Sequence, residues 1–291
     1  MEKAAIAQPA NCRVAWFNGR FMPENQVLVP FRDRGWRYGD GVFDMTRTFN
    51  GRVFRLKEHI DRLYRSLRYL RLDPGIAPRE MIGIAEQVVA RNEHLRAAAG
   101  DWWVAQRVSR GVDLIGDEVP EHTGPNVIVD CTPLPLKARA RQFRDGLDVW
   151  TPAQRRIAPD MLSPRAKTHN YLNMIVAEQS VKAHDPEGWA VLLDVNGNLA
   201  EGIGSNIFVV REGKLYTPGE RYVLAGISRQ MTLDLARRLG IPAIEGDIDL
   251  YDAANADEMF LTSTSLCIAR RAASTAPRLA MAACLVRSRN D

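Results

Sequence analysis

Only six of the 39 basic residues are lysines. Five of them stand where a solvated ammonium costs little: Lys3 at the terminus, Lys57 at a helix start, Lys137 in a proline-rich stretch, Lys182 late in a helix and Lys214 in a Glu-Gly-Lys turn. Lys167 differs. In SPRAKTHNYLNM (163–174) it follows Pro164, precedes an apolar helical pattern and has His169, Asn170 and Tyr171 beside it. A lysine that forms a Schiff base must be partly desolvated, so that the neutral amine is available. An exposed lysine near a helix N-terminus shows the same pattern, and position alone leaves both readings open.

Four further stretches carry chemistry-bearing groups. GNLAEGIGSNIFVV (197–210) has Gly202 and Gly204, which leave space for a flat ligand to approach the backbone, and Glu201 at the edge of that space. A carboxylate there could keep a pyridine-type nitrogen protonated; a hairpin with a solvent-facing glutamate reads the same. In VLAGISRQMTLDLARRLG (223–240) a Gly-Ile-Ser turn feeds a helix, where Ser228 could cap the helix or donate to an anion. FLTSTS (260–265) gathers hydroxyls at a strand end. In EHIDRLYRSLRYL (58–70), Arg62, Arg65 and Arg68 are spaced by three, off the Ile60/Leu63/Leu67 stripe. Such a run is usually a solvated face, although arginine's donor fork suits phosphate. GDGVF (39–43) lacks the following helix of a dinucleotide fingerprint.

These groups need a scaffold. Residues 14–56 read as short strands, with Asn-Gly hairpin signals in VAWFNGRFM and VFDMTRTFNGRVFRL. Helices are expected at 58–70 and 79–99, then strands at WWVAQRVSR and NVIVDCTPL. TPLPLKARAR (132–141) reads as an interdomain linker. A strand near 147–151, a helix at about 171–183, a hairpin with an Asn-Gly turn, strands NIFVV and KLYTP, a helix carrying Met231, Leu235 and Leu239, and a strand ending in EMFLTSTS follow. The pattern predicts two α+β domains, 1–131 and 142–291.

The composition, 46% apolar and 25% charged, is that of an ordinary soluble globular chain. No apolar leader or spanning stretch is visible, so a cytoplasmic protein with no membrane partner is expected. The four cysteines match neither a disulfide framework nor metal spacing, and no metal is expected. A net charge of +4, with arginines scattered among acids, argues against nucleic acid and leaves anionic small substrates open.

In combination the stretches RDRGWRYGDGVFD, FRLKEHIDRLYRSL, RAKTHNYLN, DVNGNLAEGIGSNIF, LAGISR and DEMFLTSTS resemble, in the same order, the fold-type IV pyridoxal-phosphate enzymes. These include branched-chain and D-amino acid aminotransferases, (R)-selective amine transaminases and aminodeoxychorismate lyases. The resemblance covers about residues 14–268. It implies an α+β fold with a small N-terminal α/β domain and a larger C-terminal pseudo-barrel, the cofactor between them, and a homodimer whose partner subunit contributes to the substrate pocket. Lys167 matches the catalytic lysine that binds pyridoxal 5'-phosphate covalently and moves the proton. Arg62 matches the phosphate-binding arginine, and Glu201 the partner of the pyridine nitrogen. Ile227 and Ser228 match the phosphate cup, Leu224 lies beneath the ring, Thr264 is a further phosphate ligand and Asn206 supports the site. Tyr38, Phe43, Arg47 and Ser265 match the substrate side, with Arg47 a candidate for the substrate carboxylate.

Some positions depart from the family. The tyrosine near the cofactor's O3′ lies five residues past the lysine in the branched-chain enzymes, whereas Tyr171 is four past Lys167, as in the D-amino acid and (R)-amine enzymes. The Arg-x-His carboxylate grip of the D-amino acid enzymes is replaced by Ile115 and Asp117. From about residue 268 an Arg/Ala-rich tail stands where the family has a Pro-Val segment and a closing helix, as a reading-frame change or truncation would leave it. The expected activity is ping-pong amino transfer between an amino acid or amine and a 2-oxo acid, branched-chain-like or (R)-amine-type. The alternatives are an aminodeoxychorismate lyase-like enzyme and an inactive member with an altered C-terminus.

Overall fold

The computed structural model describes residues 13–113, 116 and 124–270. Ile115 and Asp117, and the tail from residue 271, lie outside the described residues. The chain divides into two compact units, Met1–Leu134 and Pro135–Asp291.

The first unit contains β1 (Val14–Phe17), β2 (Arg20–Pro23), α1 (Arg34–Tyr38), β3 (Gly41–Phe49), β4 (Arg52–Val53), α2 (Leu56–Tyr69), α3 (Pro78–Asn92), β5 (Trp102–Val112) and β6 (Gly124–Pro133). Its strands form one sheet in the order β2-β1-β6-β5-β3-β4, antiparallel throughout. The Asn-Gly pairs make the two tight turns. Asn18 and Gly19 (φ 45° and 94°) join β1 to β2, and Asn50 and Gly51 (φ 51° and 77°) join β3 to β4. Positive φ at both central residues matches the right-handed twist of the strands and favours Asn and Gly. Along β3 the side chains alternate. Val42 joins Ile60, Leu63 and Leu67 of α2 in the main apolar core, and Asp44, two residues on, contacts α2 as well.

The second unit contains α4 (Leu136–Asp145), β7 (Val149–Trp150), α5 (Leu172–Lys182), β8 (Trp189–Leu193), β9 (Leu199–Gly202), β10 (Ser205–Arg211), β11 (Lys214–Thr217), α6 (Ile227–Arg238), β12 (Ala243–Glu245), α7 (Leu250–Ala254), β13 (Glu258–Ser263) and β14 (Cys267–Arg270). Its sheet runs β12-β11-β10-β9-β8-β7, with β13 branching from β10 and β14 paired to β13. β10 is the hub: its start pairs with β9, its end with β11 and its other edge with β13.

Three local expectations change. Residues 132–141, expected as a linker, are the end of β6 and most of α4. Pro135 precedes the first helical residue, so the prolines start this helix rather than prevent one. Ser228 is not the cap of α6: Gly226 is, without a side-chain cap bond, and Ser228 lies inside the first turn. The buried face of α6 is Arg229, Thr232, Leu233 and Ala236, whereas Leu235 and Leu239 are exposed. Arg229 turns the helix that way, donating to Pro218 O at 2.9 Å and to Glu245 Oε2 at 2.5 Å. At the C-terminal side, residues 268–270 belong to β14. Among the described residues no helix is long and apolar enough to cross a membrane, and no His/Cys/Asp/Glu group could hold a metal ion.

Candidate active site

Lys167 lies in the irregular run between β7 and α5, and backbone bonds fix that run. Arg156 N–H donates to Leu193 O (2.8 Å), Ala166 N–H to Ser163 O (3.1 Å) and Thr168 N–H to Ala166 O (3.0 Å). The lysine is only 9% exposed, and its Nζ donates to Tyr171 Oη at 2.8 Å. Tyr171 is the residue before α5, so the four-residue spacing brings its hydroxyl back to the amine.

Glu201 is also buried, at 3% exposure, on β9. It is no solvent-facing hairpin residue. Its Oε1 accepts from Arg156 Nε at 2.9 Å and its Oε2 from Leu224 N–H at 2.9 Å. Register places Glu201, Asn206 and Thr262 opposite one another across β9, β10 and β13, hence on one sheet face. Asn206 Nδ2 donates to Leu224 O at 3.0 Å. The Leu224 residue is therefore clamped at both ends, its N–H by Glu201 and its carbonyl by Asn206. The Thr262 hydroxyl in the same row is buried without a hydrogen-bond partner. Burial pushes the Glu201 carboxyl up; Arg156, the Leu224 N–H and Lys167 pull it back, and the net position stays above the ordinary value.

Arg156, Pro164, Lys167, Tyr171, Glu201 and Leu224 are among the residues lining one pocket. Leu224 and Ala225 lead to Gly226 and the start of α6, where the N–H groups of Ile227 and Ser228 have no i−4 partner inside the helix. A Cβ at Gly226 would stand 2.0 Å from Asn206 Oδ1. Asn206 cannot yield without releasing Leu224. Gly226→Ala is therefore expected to cost about 1 kcal/mol, one hydrogen bond's worth, in denaturant unfolding. In an Asn206→Ala background that penalty should shrink, leaving the 3.3 Å approach to Arg229 Cβ, as a double-mutant cycle will show. Thr264 and Ser265 occupy the turn between β13 and β14, with Ser265 Oγ 3.3 Å from Ser263 Oγ.

In the first unit, burial separates Arg62 from its neighbours: Arg65 and Arg68 are exposed. Arg62 Nε and Nη2 donate to Asp44 Oδ2 and Oδ1 at 2.7 and 2.8 Å, and His59 Nδ1 lies 2.7 Å from Asp44 Oδ1. Burial pushes the Asp44 carboxyl up, but the charges and hydrogen bonds of Arg62 and His59 outweigh it and hold Asp44 well below the usual carboxylate range. Arg47 is buried too, its Nη2 3.2 Å from Asp101 Oδ2 and its Nε donating to Thr48 O. Phe43 is half-buried opposite Arg107 on β5, and Tyr38 is exposed at the end of α1. Sequence reasoning missed Arg156, Asp44 and His59. The first sits in an irregular run with no motif, but Asp44 and His59 lie inside two of the quoted stretches.

A buried amine and a buried carboxylate facing one pocket, on a branched sheet with a helix start at its rim, describe a site for nucleophilic and proton-transfer chemistry. The profile of the family Amino-transferase class IV matches residues 41–272, and the chain belongs to that family. A putative branched-chain-amino-acid aminotransferase of Methanocaldococcus jannaschii is 37% identical over 252 residues, 86% of this chain and 84% of that one. A D-alanine aminotransferase of Listeria innocua is 30% identical over 251 residues, 86% and 83% of the two chains. Among solved structures, the branched-chain amino acid aminotransferase from Thermobaculum terrenum in its PLP-form (holo-form) superposes with a TM-score of 0.77. It is 27% identical, covering 90% of this chain and 85% of that one. The fold is the two-domain α+β fold of these aminotransferases.

Proposed function

We infer that the chain is a pyridoxal-phosphate transaminase exchanging an amino group between a branched-chain amino acid and a 2-oxo acid in two half-reactions. The observation that carries this reading is the pairing of a buried lysine and a buried carboxylate in one pocket. The donor set fits the cofactor: an amine for its aldehyde, an acid for its ring nitrogen, and free N–H groups at the start of α6 for its phosphate. When bound, the pyridine ring supplies an electron sink for the α-carbon chemistry.

Lys167 anchors the cofactor and carries the proton to and from the substrate Cα, with Tyr171 orienting its Nζ. Glu201 holds the ring nitrogen. Leu224 offers an apolar surface fixed by Glu201 and Asn206. Ile227, Ser228 and Thr264 receive the phosphate, and Arg62 is assigned to it by its place in the EHIDRL stretch alone, with Asp44 orienting its guanidinium. Phe43, Tyr38 and Ser265 are assigned to substrate. The hold of Asp101 on Arg47 favours a structural role for that arginine over carboxylate binding.

The higher identity to the branched-chain relative favours that substrate class, and the transaminase names of the relatives favour transfer over elimination. Leu28, Phe31 and Trp36 are strongly exposed in one segment, which supports a homodimer. Cys131 is a buried thiol outside any disulfide, as a reducing cytoplasm would leave it. Half-reactions of the holoenzyme with L-leucine, L-glutamate, D-alanine and (R)-1-phenylethylamine, followed by cofactor absorbance, test the assignment. L-Leucine and L-glutamate should react. A response to D-alanine or the amine alone would overturn the substrate class, and pyruvate release from aminodeoxychorismate without amino transfer would overturn the reaction.

A further inference from the structure

The ion pair between Arg156 and Glu201 has no part in the roles assigned above, yet it lies inside the pocket. Arg156 is pinned by its backbone to β8 through Leu193, and its side chain is nearly buried against Glu201, itself nearly inaccessible. The two carboxylate oxygens have different partners, the guanidinium on Oε1 and the Leu224 N–H on Oε2. The charged groups acting on Glu201 are Arg156 and Lys167. Its strand neighbour Asn206 is neutral, and β8 presents apolar Val191 and Leu193.

A buried carboxylate left to itself takes up a proton, because burial penalises the charge. A guanidinium at hydrogen-bond distance opposes that preference and fixes the carboxylate's orientation. We propose that Arg156 is a positioning residue for Glu201: its contact with Oε1 favours the ionised carboxylate and holds it turned into the pocket, and thereby sets how firmly a protonated ring nitrogen is held there. The effect on the ring nitrogen rests on the pyridoxal-phosphate reading; the effect on Glu201 does not. A merely architectural ion pair would affect stability and nothing else.

The experiment separates these. Infrared titration of the cofactor-free protein reads the carboxyl C=O band of Glu201, assigned by its loss in Glu201→Gln. In Arg156→Gln the ionisation midpoint should rise by about one pH unit or more, since Lys167 is then the remaining cation acting on it. Arg156→Lys, which restores the charge with different geometry, should rise less. An unchanged midpoint in Arg156→Gln overturns the proposal, whatever happens to the melting temperature. If Arg156→Gln fails to fold by circular dichroism, the midpoint of Arg156→Lys decides, displaced in support or unchanged against.

In the holoenzyme, the pH midpoint of the visible absorption band should move in Arg156→Gln at equal cofactor content. An identical band and midpoint would overturn the part that concerns the ring nitrogen. Failure of the unmodified protein to bind pyridoxal phosphate would sink the cofactor reading instead, and the infrared titration would still decide the role of Arg156.

Discussion

Replacement of Lys167 by alanine should reduce transamination at least about 10⁴-fold. Proton transfer by a positioned side chain alone contributes roughly 10²–10⁴-fold, and this substitution removes the covalent anchor as well. The fold should survive, because Lys167 belongs to no regular element and its amine bonds to nearby Tyr171, at the edge of α5. Borohydride reduction followed by peptide mass measurement should place the cofactor on the Lys167 peptide of the unmodified protein and nowhere in the variant. A variant with more than a tenth of the original rate would remove Lys167 from the chemistry. One without activity but with the cofactor fixed to another lysine would remove it from the anchor role.

The second large effect is on stability. Asp44 is fully buried and satisfies Arg62 twice and His59 once. Asp44→Asn leaves a buried guanidinium without its counter-charge, and breaking a buried pair in this way costs about 3–5 kcal/mol. Calorimetry should show the melting midpoint falling by roughly 10 °C or more. The exposed Lys57–Asp61 pair is the contrast: Lys57→Ala should leave the melting midpoint almost where it was, because water screens that pair. The pH dependence has a definite sign. The folded-state pKa of Asp44 is depressed, so its contribution is fully present above the ordinary carboxylate value of about 3.9 and is lost as pH falls through the depressed one. Acid unfolding should therefore lose this component in Asp44→Asn. A melting midpoint within a degree or two of the original would show that the cluster stabilises nothing.

Much of this architecture is legible in the chain. Asn18-Gly19 and Asn50-Gly51 specify their turns because few other pairs tolerate positive φ twice in succession. The Ile60/Leu63/Leu67 stripe gives α2 because its spacing matches the helical turn. The failures are places where tertiary contacts override local pattern. Arg229 draws a polar face of α6 inward, which spacing of leucines alone reverses. Residues 136–145 are helical despite the prolines before them, since Pro is harmless ahead of a first turn. At the site, Lys167 and Glu201 stand out by residue type and neighbouring glycines, whereas Arg156 does not. Its importance comes from Leu193 and Glu201, more than thirty residues away in sequence, and no local rule anticipates such a partner.

That distance in sequence has a consequence for biogenesis. Arg156 leans on β8, Glu201 comes with β9, and Leu224 is held by Glu201 and by Asn206 of β10. A nascent chain halted before residue 224 would therefore expose an unassembled concavity with its acid and amine unplaced. The pocket is thus complete only when the middle of the second unit is present, and no shorter N-terminal piece carries the whole donor set.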